Sequence, residues 1–105
     1  MVLFYGKAVL KDTIIQLLKR HLQELKRRFR VSSLFIFGSV ARGEEKSDSD
    51  LDVLVSFDGP GTFDTYMDLK FFLEDLIKRK VDLVTEKGVS PRLKVVIEKD
   101  LIRVS

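Results

Sequence analysis

From Asp50 to Phe57 the chain alternates, with Leu51, Val53, Val55 and Phe57 interleaved with Asp50, Asp52, Leu54 and Ser56. Period-two alternation over this length specifies a β-strand with one buried face. Asp50 and Asp52 then project together from the other face, roughly 6.5–7 Å apart at the backbone. Two acids on one side of an otherwise apolar strand are a costly placement on structural grounds alone.

The rest of the chain supplies neighbours for that strand. Residues 33–37, Ser-Leu-Phe-Ile-Phe, are a brief apolar run ended by Gly38, which suits a buried strand, and Val81–Thr85 reads as a third. Residues 12–29 carry Ile14, Leu18, Leu22, Leu25 and Phe29 at helical spacing, with Thr13 and Gln16 as a candidate capping box. Ser39–Arg42 has room for one helical turn before Gly43, and Glu44–Asp48 is polar and loop-like. After the turn-forming Asp58-Gly59-Pro60-Gly61, a helix runs from about Phe63 to Arg79. Its buried stripe is Tyr66, Leu69, Phe72, Leu73, Leu76 and Ile77, and Lys78, Arg79 and Lys80 suit its C-terminal dipole. A last helix opens at Pro91 or Arg92 and runs towards Leu101. Phe35, Phe37, Phe71 and Phe72 are read as core. The class is α/β (α+β), a small mixed three-stranded sheet packed with helices, as a single domain over residues 1–105.

Composition agrees and narrows the options. A chain of 105 residues that is 45% hydrophobic and 33% charged folds around one core. With no cysteine, neither disulfides nor thiolate-bound metal contribute. Met1–Gly6 lacks the basic flank and apolar run of a leader, and no apolar stretch approaches ~18 residues, so a cytoplasmic protein away from membranes is expected. The net charge of +3 is a near-cancellation. Lys19, Arg20, Lys26, Arg27, Arg28 and Arg30 stand against Glu24, whereas Glu44, Glu45, Asp48, Asp50, Asp52 and Asp58 stand against Lys46. The basic segment 19–30 reads first as a solvated helix face and second as a dock for an acidic protein or RNA.

Asp82 lies between Val81 and Leu83, where a half-buried strand normally carries an apolar residue. If its strand neighbours that of Asp50 and Asp52, three carboxylates converge. Such a patch repels itself, and a pair of Mg²⁺ ions about 3.5–4 Å apart is the natural counterpart. Phe37-Gly38-Ser39-Val40-Ala41-Arg42-Gly43 makes the second half of the site: a glycine at a strand end admits a phosphate to the backbone, and Ser39 adds a donor. Arg42 and Arg92 are candidate supporting cations and Ser47 a candidate phosphate contact, while Asp48 reads as local loop structure. Each has a plainer reading: Gly-Ser as a turn, Asp-x-Asp as surface charge, Asp82 as a partner of Lys80, Arg42 as a solvent-facing side chain. His21, the one histidine, has no second ligand at metal-binding spacing and is read as a surface residue.

Gly38-Ser39, ten residues, then Asp50-Leu51-Asp52 resembles the signature of the DNA polymerase beta nucleotidyltransferase superfamily. The stretch Leu34–Phe57, with Ala41-Arg42-Gly43 and Ser47-Asp48-Ser49-Asp50 inside it, resembles the minimal nucleotidyltransferase (MNT) subfamily, and Asp82 in Lys80-Val81-Asp82-Leu83-Val84 matches the third family carboxylate. The resemblance implies the nucleotidyltransferase fold and transfer of a nucleoside monophosphate from a nucleoside triphosphate to a hydroxyl. Gly38 and Ser39 would hold the β- and γ-phosphates, Asp50 and Asp52 both metals, and Asp82 the metal at the acceptor or the acceptor's proton. It also implies ATP as donor and a HEPN-family toxin as partner, neutralised as an antitoxin does, through AMP transferred to a tyrosine.

Two other functions are weighed beside this one. A binding module of the same fold could neutralise its partner by occlusion, without catalysis; under either reading the chain could act as a homo- or hetero-oligomer. A nucleic-acid-binding protein could use the basic segment, but this leaves Asp50, Asp52 and Asp82 unexplained. The small size further suggests that substrate recognition is completed by another chain.

Overall fold

Among the described residues, four strands form one mixed sheet. In the computed structural model, which describes residues 7–105, β1 (Val31–Phe37) lies antiparallel to β2 (Leu51–Phe57) on one side and to the two-residue β4 (Ile102–Arg103) on the other. β3 (Val81–Thr85) joins β2 in parallel, giving the order β3-β2-β1-β4. The start Met1–Gly6, read above for a leader, lies outside the described residues. The strand missed in the sequence is β4; two residues cannot display alternation, and it is defined only by pairing Ile102 and Arg103 with Ile36 and Phe35.

The helices are α1 (Lys7–Arg20), α2 (Leu22–Phe29), α3 (Gly38–Arg42), α4 (Phe63–Ile77) and α5 (Pro91–Glu98), with a 3₁₀ turn at Glu86–Gly88. The single helix expected over 12–29 is two. The His21 imidazole takes the Leu17 carbonyl at 3.0 Å, and the His21 N–H turns to Leu18 O at 3.1 Å, so the i→i−4 ladder breaks there. Thr13 and Gln16 form no capping box, because α1 already starts at Lys7 and both residues sit exposed within it. α4 ends two residues before Arg79, with Lys78 in the left-handed conformation as its cap. At its start Thr62 accepts from the Thr65 N–H at 3.1 Å, and Ser90 caps α5 in the same way at 3.2 Å.

One sheet face carries the main core. Leu51, Val53 and Val55 of β2, Leu34 and Ile36 of β1 and Val81 and Leu83 of β3 pack against Ile14, Leu18, Leu25, Phe29, Leu69 and Leu73. The opposite face is not wholly open: Leu54 is only 8% exposed, beneath α5, whose Ile97 is buried with it. Asp52 shares that face with Leu54. Phe71, expected in the core, is 56% exposed, one position off the stripe set by Leu69, Phe72 and Leu73. No helix among the described residues is long and apolar enough to cross a membrane.

Candidate active site

Sheet register builds the site. Asp52 stands opposite Phe37 on β1 and beside Asp82 on β3. The antiparallel β1–β2 pairing thus brings the end of β1, and Gly38 after it, to the acid pair. Gly38 is required there twice over. Its φ is +77°, and a Cβ would collide with the Asp52 carboxylate, lying 2.9 Å from Cγ. Asp52 therefore lies directly against the strand-to-helix junction that carries Ser39. α3 then closes on Gly43, whose N–H reaches Val40 O at 3.1 Å, while the Glu44 N–H reaches Ser39 O at 2.8 Å.

The carboxylates do act on one another. The Asp52 carboxyl is pushed up from 3.8 to about 6, first by burial, then by the charge of Asp82 and a hydrogen bond with it, then by Asp50; Arg42 pulls the other way. Asp50 and Asp82 are exposed. Convergence is thus tightest as a pair, Asp52 with Asp82, with Asp50 acting through its charge. Among the described residues, no three His, Cys, Asp or Glu side chains are gathered closely enough to hold a metal ion as they stand. The donor chemistry nonetheless fits a hard divalent cation, since the group offers carboxylate oxygens alone and its mutual repulsion is what such an ion relieves.

The expected supporting residues are placed differently. Arg42 donates from Nε to Glu44 Oε1 and from Nη1 to Asp100 Oδ2, both at 2.7 Å, so its fork is taken up by carboxylates. These bonds raise its own pKa. Arg92 is exposed near the start of α5. Ser47 is exposed in the turn before Asp50, and that turn is held by Ser49, whose Oγ accepts from the Lys46 N–H at 2.8 Å. Arg79 was missed: its Nη1 donates to Ser49 O at 2.6 Å and Lys46 O at 3.3 Å, tying the α4–β3 corner to the segment that delivers Asp50. Its position in a basic run at a helix end masks this, because the same residues suit the helix dipole.

With the fold and acid pair in place, comparison with known proteins agrees. The nucleotidyltransferase domain family matches residues 18–104. A relative from Methanocaldococcus jannaschii, provisionally named a protein adenylyltransferase, is 42% identical over 94 residues, covering 87% of this chain and 94% of its own. A solved structure provisionally described as a minimal nucleotidyltransferase superposes with a TM-score of 0.74 at 37% identity, over 88% of this chain and 93% of that one. A complex of a tri-AMPylated Shewanella oneidensis HEPN toxin with an MNT antitoxin gives a TM-score of 0.64 at 19% identity, over 87% of this chain and 71% of the matched chain, a likeness of fold. The chain belongs to the nucleotidyltransferase domain family. It is an enzyme of nucleotidyl transfer, and its substrate is a nucleotide.

Proposed function

We propose that this protein transfers AMP from ATP to a tyrosine hydroxyl of a HEPN-family toxin and so acts as its antitoxin in the cytoplasm. The observation that carries the reading is the Asp52–Asp82 pair, in register on adjacent parallel strands and set against Gly38. The adenylyltransferase name of the Methanocaldococcus relative supports AMP as the transferred group. The toxin complex, whose toxin is AMPylated, supports the acceptor.

In this reaction the acceptor oxygen bonds to the α-phosphorus, the bond to the oxygen bridging the β-phosphate breaks, and pyrophosphate leaves. Asp50, Asp52 and Asp82 are the residues that would hold Mg²⁺, which when bound supplies positive charge for the attacking and leaving oxygens. Gly38 leaves the backbone open for the donor's phosphates, and the Ser39 hydroxyl adds a donor to them. Asp82, the more exposed of the paired acids, would accept the acceptor's proton or hold the metal at the acceptor.

Incubation with the toxin, α-labelled ATP and Mg²⁺ tests this. Label on the toxin that is lost with Asp50→Asn supports transfer. Neutralisation that survives Asp50→Asn without any label overturns it in favour of occlusion. RNA binding that is salt-sensitive, indifferent to Asp50→Asn and lost with Arg27 and Arg28 would select the basic segment instead. Part of that segment is already engaged, since Arg28 pairs with Glu24 at 2.7 Å and lies over the Phe29 and Phe72 rings.

A further inference from the structure

Among the described residues β3 is an edge strand, with β2 on one side only. Along a strand, successive peptide groups point alternately to either side, so in the β2–β3 ladder those of Asp82 face β2 and those of Val81 and Leu83 face outward. Edge groups of this kind are normally left to water or covered by another segment. Here side chains of α4 take two of them. The Val81 N–H donates to Glu74 Oε2 at 2.9 Å, and the Leu83 carbonyl accepts from the Tyr66 hydroxyl. α4 runs back along the strand, so the earlier helix residue meets the later strand residue. The two bonds bracket Asp82.

We propose that Tyr66 and Glu74 are positioning residues for Asp82, holding the edge strand from its outer side so that the Asp82 carboxylate stays beside Asp52. The inference rests on the reading of Asp82 as a metal-holding residue. Several features of the pair go beyond packing. Leu69 and Leu73 already anchor α4 in the core, so the helix does not need these polar bonds to dock. Tyr66 and Glu74 lie eight residues apart, and neither hydrogen-bonds within its own helix through its side chain. Both instead spend polar atoms on a short strand whose main distinction is the acid at its second position. Without them β3 keeps its ladder to β2 and the packing of Val81 and Leu83, but nothing holds the outer side of its backbone, and an edge bonded on one side frays more easily. Such fraying separates Asp82 from Asp52 while the core residues of β1 and β2 stay in place.

The test compares Tyr66→Phe, which removes one oxygen, with Glu74→Met, Glu74→Gln and Asp82→Asn. Mn²⁺ binding is followed by the loss of the free-ion electron paramagnetic signal. In parallel, the Mg²⁺ dependence of label transfer to the toxin is measured. Tyr66→Phe and Glu74→Met are expected to weaken Mn²⁺ binding about 10-fold, as loss of a residue supporting a ligand does. Saturating Mg²⁺ should restore their transfer rate, whereas Asp82→Asn should stay inactive at any Mg²⁺ concentration. Glu74→Gln keeps an oxygen acceptor for the Val81 N–H and should bind Mn²⁺ within about 2-fold of the parent. If Tyr66→Phe and Glu74→Met bind Mn²⁺ like the parent while Asp82→Asn does not, the positioning role is wrong and the site reading stands. If Asp82→Asn also binds like the parent, the site reading falls and the positioning role with it. Should Glu74→Met fail to fold, the single-atom change in Tyr66→Phe decides the matter alone.

Discussion

Asp52 stands beside Asp82 across the parallel β2–β3 ladder, and its carboxyl is pushed up to about 6, by burial first and by that neighbour second. Two acids held side by side in the fold are in conflict unless one is protonated or a cation lies between them. The metal-free protein therefore carries a local strain that depends on pH.

The pH dependence follows from the direction of the shift. The folded chain holds the Asp52 proton more tightly than the unfolded chain, so Asp52 favours folding fully below its ordinary value of 3.8, and this contribution is lost as pH rises through about 6. At pH 7.5, without metal, Asp52→Asn is expected to be the more stable protein by about 1 kcal/mol after allowance for solvent screening, or ~4–8 °C in melting temperature. At pH 3.5 the two should melt together. Differential scanning calorimetry in EDTA across that range checks both ends. A gap independent of pH would remove the Asp52–Asp82 conflict from the account.

Adding Mg²⁺ should act on the same conflict. At pH 7.5 the parent is expected to gain thermal stability on titration with Mg²⁺, and Asp52→Asn is expected to gain much less. Binding to the folded form alone stabilises by about 2.7 kcal/mol at a hundredfold excess over Kd. Equal gains in the two proteins would place the ion elsewhere.

Gly38 and Gly43 make a matched pair for mutation. Both have positive φ, +77° and +74°, but only at Gly38 does a Cβ meet the Asp52 carboxylate. Gly43→Ala is expected to cost roughly 1–2 kcal/mol from backbone strain. Gly38→Ala pays a similar strain and also displaces Asp52, so it should lose transfer activity about 100-fold or more, where Gly43→Ala stays within about 10-fold. Urea denaturation and label transfer separate the two effects. Equal loss of activity in both variants would show that strain alone, and not Asp52, is what Gly38 controls.

The strands that build the site were legible because each carries its pattern locally: Leu51 to Phe57 alternates, and the run ending at Gly38 is short and apolar. Asp82 stood out as an acid inside an apolar strand. What the sequence hid depends on contacts between distant residues. Leu54 lies on the acid-bearing face of β2, yet it is buried together with Ile97 of α5, more than forty residues later. Arg42 sits in the recognised junction, and only the fold shows Asp100 arriving to take its guanidinium. The break at His21 turns on a side chain competing for one carbonyl, which leaves no periodic trace. Tyr66 looked like part of an apolar stripe; its ring does pack against the core, while its hydroxyl serves the β3 edge.

Arg79 is the residue whose removal should separate the delivery of Asp50 from the rest of the site. Its guanidinium holds Ser49 O and Lys46 O, and the Leu51 N–H bonds to Lys80 O at 2.9 Å immediately afterwards. That backbone bond keeps the start of β2 in place when the side chain is lost. Arg79→Met should therefore leave β2 and its core residues intact while residues 46–50 loosen. Charge-assisted bonds of this kind contribute about 1.5–3 kcal/mol where they are protected from solvent, and less at a partly exposed position. Hydrogen exchange is expected to speed up for the amides of Lys46 and Ser49, whose bonds close this turn, and to stay slow in Val53–Val55. Label transfer should fall about 10-fold because Asp50 is no longer held on line with Asp52. Arg79→Lys should recover part of the loss, since both carbonyls accept from a single nitrogen, Nη1, and an ammonium carries three donors on one nitrogen. Unchanged exchange at Lys46 and Ser49 in Arg79→Met would mean that Ser49 and the Leu51–Lys80 bond hold the segment unaided.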